Sequence, residues 1–197
     1  MKKWLGIAIA GVLLVWVFHQ DKVELGEGVL APVEPKQTQI ENPVPLKFEG
    51  YTVKPLADFH ITAKVILRED YSMGREADVS PMDLALGWGR MSDEAILKHI
   101  NFSQSGRWYR YRYQSAPIPQ KEIETHSANM HMIPAEPWIE DDLADIVPGQ
   151  IIELKGKLVE VTDKDGWRWR SSLRRDDTGS GACELVYVES IKIVRDG

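Results

Sequence analysis

The 197-residue sequence has a single cysteine, Cys183, so no intramolecular disulfide can brace it. Basic residues are in deficit: 24 Lys and Arg face 30 Asp and Glu, for a formal charge of −6. A general nucleic-acid binder needs clustered cations against phosphates, so no nucleic-acid partner is expected. There is no Gly-rich phosphate cradle. Gly87-Trp88-Gly89 is two glycines that read as the cap of a helix end. Long apolar runs are absent after residue 18, and no internal repeat is visible. What is present is an ordinary 43% hydrophobic share with seven Trp and six Tyr. That is enough to pack a core and excludes a wholly disordered chain. No cofactor motif stands out, and no cofactor is expected.

The first twenty residues carry the strongest signal. Lys2 and Lys3 precede an uncharged run from Trp4 to Phe18, which ends at His19-Gln20-Asp21. At about 1.5 Å per residue the run spans roughly 22 Å, short of a hydrocarbon core of about 30 Å. Snorkelling lysines and interfacial Trp4, Trp16 and Phe18 supply part of the difference. No small-x-small cleavage site follows, and no cysteine that would mark a lipoprotein. Residues 1–20 are therefore expected as an uncleaved signal anchor, a single transmembrane helix. The lysines put the N-terminus in the cytoplasm, with the rest of the chain outside the inner membrane.

Residues 21–50 interleave Pro32, Pro35, Pro43 and Pro45 with polar side chains and read as a semi-stiff, solvated linker. Residues 51–197 are expected to form one globular, β-rich α+β domain. Its predicted form is a small, partly closed antiparallel β-barrel with two or three short helices. Ala57–Arg68 alternates as a half-buried strand, Phe59, Ile61, Ala63, Val65 and Leu67 on one face and His60, Thr62, Lys64 and Arg68 on the other. Ser80-Pro81-Met82-Asp83 predicts a helix start ending at Gly87, and a second helix follows from Ser92. Arg107–Tyr113 alternates aromatics with arginines as a strand. Glu122–Ile133 reads as extended and Pro137–Ile146 as a short helix. The C-terminal third gives a strand over 150–162, a hairpin at Asp163–Gly166, a return strand with Trp167 and Trp169 on one face, and a last strand over 182–194.

The long strand with central Gly156, the hairpin and the final strand together resemble the meander of an OB-fold barrel. Three segments, Ser80–Gly89, Glu124–His131 and Asp177–Leu185, resemble uncharacterised bacterial envelope proteins. That likeness implies an envelope setting and no activity.

Three constellations could carry chemistry. His126, Cys183 and Arg195 form the enzymatic one: a thiol nucleophile needs a cation beside it, and an arginine can hold an oxyanion. A membrane anchor, a barrel, a histidine, a late cysteine and an arginine twelve residues on are similar in order to the sortases. That resemblance implies a cysteine-dependent acyl-transfer enzyme of the envelope. Sortases carry Thr-Leu-x-Thr before the cysteine, whereas residues 179–182 here are Gly-Ser-Gly-Ala. A metal centre would need His60, His126 and His131, but the spacing of the last two points them to different sides of a strand, and no metal is expected. The third constellation is a surface of Trp108, Arg110, Arg112, Arg168 and Arg170, suited to binding by stacking and cation–π contact. Outside the cytoplasm its partner would be an envelope protein, a peptide or a glycan. A non-catalytic binding or scaffold domain is the expected function, and the acyl-transfer enzyme is the alternative.

Overall fold

A computed structural model describes residues 22–177, 179 and 182–197. The expected anchor lies outside the described residues, and among these no helix is long and apolar enough to cross a membrane. The fold is mixed α/β and mostly sheet. The strands are β1 (Lys36–Gln39), β2 (Leu46–Phe48), β3 (Tyr51–Asp70), β4 (Met82–Gly87), β5 (Asn101–Ser105), β6 (Trp108–Arg112), β7 (Ser127–Pro134), β8 (Ile151–Thr162), β9 (Arg168–Arg170) and β10 (Glu184–Arg195). Four short helices are described, α1 (Arg75–Val79), α2 (Glu94–Leu97), α3 (Gln120–Thr125) and α4 (Pro137–Ala144), one more than the expected maximum.

The main sheet runs β1-β3-β4-β7-β10-β8-β9, with β2 also on β3 and β3 also on β8. The strands β3, β4, β7, β10 and β8 therefore return on themselves in a partly ring-like sheet. The twenty residues of β3 make this possible. They serve β8 over Thr52–Lys64 and β4 over Lys64–Asp70, and register shifts fall at Pro55/Ala57 and Val65/Leu67. Such irregularities bend a strand enough to curl the sheet. At Gly156 a Cβ would sit 2.1 Å from the carbonyl oxygen of Tyr187, so only glycine lets β8 and β10 approach there. The expectation of an antiparallel barrel needs correcting at one pair: β10 lies parallel to β7, with Glu184 opposite Met130.

Inward side chains of the ring, among them Phe59, Ile61, Leu84, Met130, Leu154 and Val186, form the main core with Ile139 and Leu143 of α4. A second layer covers the outer face of β4 and β7. There the β5–β6 hairpin packs Phe102, Tyr109 and Tyr111 against Ile66, Ala85, Met91 and Ile123.

Several local expectations are corrected. Residues 82–87 form strand β4, not a helix, and Ser80 instead ends α1, its N–H bonding the Glu76 carbonyl. As a central strand between β3 and β7, β4 is buried on both faces, which hides the period-2 signal behind a near-continuous apolar run. The second helix begins after Asp93, whose carboxylate accepts from the Ala95 N–H, and a 3₁₀ turn occupies Gly89–Ser92. The span 122–133 splits into the end of α3 and β7. Lys64, placed on the polar face, is buried, with Nζ 2.7 Å from Glu94 Oε1.

The segment expected as a solvated linker lies against the domain. Its strands β1 and β2 pair with β3. Ala31 is fully buried, and Ser92 Oγ accepts from the N–H groups of Leu30 and Ala31. Proline spacing reports a lack of helix, and an extended chain without helix is equally suited to lying along a sheet edge.

Candidate functional site

A groove of about 250 Å³ opens where the hairpin, the start of β7 and the loop before β10 meet. One wall is Trp108, Tyr109 and Tyr111 of β6. The floor is Ser127, Ala128 and Asn129 of β7, and the far wall is Arg174, Arg175, Cys183 and Glu184. Trp108 is an exposed indole, 40% accessible, on the rim. Tyr109 reaches inward, its hydroxyl 2.7 Å from Ser127 Oγ, and burial pushes its pKa up. Burial likewise pushes the Tyr111 phenol up to about 12.

Arg107 ties the turn of the hairpin to the sheet. Gly106 and Arg107 make the turn, both with positive φ (59° and 70°). Arg107 donates from Nη1 to Asp83 Oδ1 at 2.7 Å and from Nη2 to the Ser80 carbonyl at 2.8 Å. Its guanidinium stacks 3.7 Å over the Tyr71 ring. Its own N–H bonds the Tyr71 hydroxyl, and its carbonyl accepts from Asn129 Nδ2. Asp83, with no exposed surface, also takes His131 Nδ1 at 2.8 Å and Asn129 Nδ2 at 3.2 Å. A buried carboxylate is tolerable only when paired and saturated in this way. Sequence reading missed this cluster. Its one available signal was an acid inside the apolar run Met82–Gly87.

A second buried charge closes the groove's far end. Glu184 is 2% exposed and pairs with Arg175, which also donates to Gln37 Oε1 at 2.7 Å. Burial raises the Glu184 carboxyl to about 7 against the opposing pull of Arg175. Its Oε2 has no hydrogen-bond partner among the described residues.

The three residues of the acyl-transfer reading do not converge. Cys183 lines the groove, level with Asn129 by the β7–β10 register. Arg195 is at the other end of β10, opposite Ile151, more than about 30 Å along the strand at roughly 3.3 Å per residue. His126 ends α3 outside the groove lining. Its Nε2 lies 2.8 Å from Glu34 Oε1, and Trp88 donates to the same carboxylate. The Cys183 thiol is half-buried against the Arg107 carbonyl, 3.9 Å away. Burial, then the nearby Glu184 and Asp83 charges, push its pKa up to about 12. These surroundings disfavour a thiolate. Carboxymethylation of the folded protein at pH 8 should therefore run at least about 100-fold slower than that of glutathione, and a comparable rate would restore the nucleophile.

The histidines also part company: His60 neighbours Glu153 at 3.5 Å, His126 faces Glu34 and His131 faces Asp83. No cluster of three or more metal-ligating side chains occurs among the described residues.

The arginine–aromatic surface divides in two. Arg168 and Arg170 both close onto Glu160, at 2.8 Å through Nε and Nη1 respectively. Their neighbour Trp169 packs half-buried against His131, ring centroids 4.7 Å apart. On β6 the arrangement is open. Trp108, Arg110 and Arg112 face solvent beside the groove, and neither arginine has an ion-pair partner among the described residues. Of the expected binding residues, these three keep a surface free for a ligand. No family model matches the chain, and neither the curated proteins nor the solved structures contain a match.

Proposed function

We propose that this protein is a non-catalytic binding domain of the bacterial cell envelope whose groove takes up a peptide segment of another envelope protein. In this reading residues 1–20 anchor the chain in the inner membrane with the N-terminus cytoplasmic, and the domain lies in the periplasm. The ring-like sheet is a small OB-like barrel carrying the groove on its outer face.

The observation that carries the reading is the groove itself. An exposed Trp108 lies on the rim of a groove with a tyrosine wall, and on the same face of β6 stand Arg110 and Arg112, which have no ion-pair partner among the described residues. Aromatic and arginine side chains of this kind are the usual anchors of protein interfaces. The acyl-transfer alternative needs a thiolate with a cation beside it, and the surroundings of Cys183 oppose one. A glycan would also stack on Trp108 and is the competing ligand.

The test is panning of a displayed decapeptide library against the full chain in detergent, beside a tetramer of N-acetylglucosamine. Peptides should be enriched, and Trp108→Ala should weaken the best of them at least about tenfold with an unchanged melting temperature. Binding of the oligosaccharide with no peptide enriched would overturn the reading.

A further inference from the structure

Among the described residues strand β6 has one partner, β5, in a separate two-stranded sheet. The hairpin turns through two residues, Gly106 and Arg107, and Ser105 is opposite Trp108. In a two-residue hairpin the pair flanking the turn exchanges hydrogen bonds, and bonded pairs then recur at every second position. The bonded residues of β6 are therefore Trp108, Arg110 and Arg112. The N–H and C=O groups of Tyr109 and Tyr111 point the other way, along the free edge. None of these four groups has a partner among the described residues. Tyr109 and Tyr111 are also the residues whose edge borders the groove.

Exposed strand edges are normally blunted by proline, charged side chains (lysine above all), a bulge or a covering element. β6 contains neither proline nor lysine, and its pairing with β5 runs without a register shift.

We infer that β6 is an acceptor edge, and that an extended acidic segment of a partner protein is added to it as a further strand. This rests on the peptide-groove reading and specifies its binding mode and chemistry. Side chains of an added strand alternate between two faces. One face would continue that of Trp108, Arg110 and Arg112, where two arginines lack counter-charges among the described residues and acidic residues complete them. The other face would descend onto Ser127, Ala128 and the tyrosine rings, where small or branched apolar residues fit.

The groove's own acids do not contradict this assignment. Glu124 accepts from Gln120, Asp177 from the Ser172 hydroxyl, and Glu184 is paired with Arg175. Asp177 and Glu184 lie on the far side of the groove and Glu124 stands beside Tyr111, on the inward face of β6, so the occupant's charges belong on the outer face.

The experiment uses the full chain in detergent and four labelled decapeptides: alternating valine and glutamate, alternating valine and lysine, and the first one N-methylated at alternate residues in each of the two registers. The valine–glutamate peptide should bind at least about tenfold more tightly than the valine–lysine one, and Arg110→Glu with Arg112→Glu should reverse that order. One of the two methylation registers should weaken binding at least about tenfold, and the Tyr109 and Tyr111 amides should gain protection from hydrogen exchange. If the acidic peptide binds while both methylated forms bind equally well and the two amides exchange as before, strand addition is wrong and the groove reading stands. If no peptide binds, both fall, and the arginines are charges that keep a bare edge unpaired.

Discussion

Replacing Arg107 with alanine is expected to cost about 3–5 kcal/mol of unfolding free energy, more than any other single change at the hairpin. The reason is what remains behind. Asp83 is completely buried, and without the guanidinium it keeps only His131 and Asn129 as partners. An unpaired buried charge costs far more than the net worth of the pair that satisfied it. Two control substitutions separate the causes. Arg107→Gly relieves the positive φ, worth roughly 1–2 kcal/mol for a non-glycine residue, yet should still be strongly destabilised because the ion pair is gone. Arg107→Lys keeps the charge but has no planar fork to reach Asp83 and the Ser80 carbonyl together while stacking on Tyr71, so partial recovery is expected. The double change Arg107→Ala with Asp83→Ala should cost clearly less than the sum of the single ones. Denaturant titration of the set decides the matter. Additive effects would mean that the pair is not coupled.

The second large effect is on the pH dependence of stability. In the folded protein Glu184 titrates at about 7, raised by burial, whereas in the unfolded chain it returns to the ordinary carboxylate range near 4.5. Between those values the folded state holds the proton and the unfolded state has lost it. The stabilisation is therefore complete below about pH 4.5 and is lost as pH rises through about 7, with a total on the order of 3 kcal/mol. Glu184→Gln is neutral throughout and removes this dependence. All other groups titrate alike in both proteins, so the informative quantity is the stability difference between variant and wild type. That difference should shift in favour of the variant by a few kcal/mol from pH 5 to pH 8. A difference that stays constant across this interval would show that Glu184 is ionised throughout, held so by Arg175.

Much of the sheet was legible in the sequence because its strands alternate. β3, β6 and β8 each bury one face more than the other, and a period of two follows directly from that asymmetry. The outward facing of the Trp108, Arg110 and Arg112 side chains was equally readable: with the tyrosines packed inward, the intervening positions had to face out. The sequence by itself also settled that no disulfide contributes, and set α4 between Pro137 and the Pro148-Gly149 stop.

What only the tertiary structure decided is where neighbours are. β4 lies between two strands and under a hairpin, so every side chain is buried and its pattern carries no period; Ser80-Pro81 then reads as a helix start that tertiary contacts override. Asp83 looked like a first-turn acid because nothing local reveals Arg107, twenty-four residues away, which makes it a buried anchor. His126, Cys183 and Arg195 had a suggestive order along the chain, but order fixes no distance: a twelve-residue strand holds the last two at opposite ends. The linker was misread for the same reason. Proline excludes helix from the chain's own geometry, while the choice between solvent and a sheet edge depends on whether an unpaired strand lies within reach, and β3 supplies one.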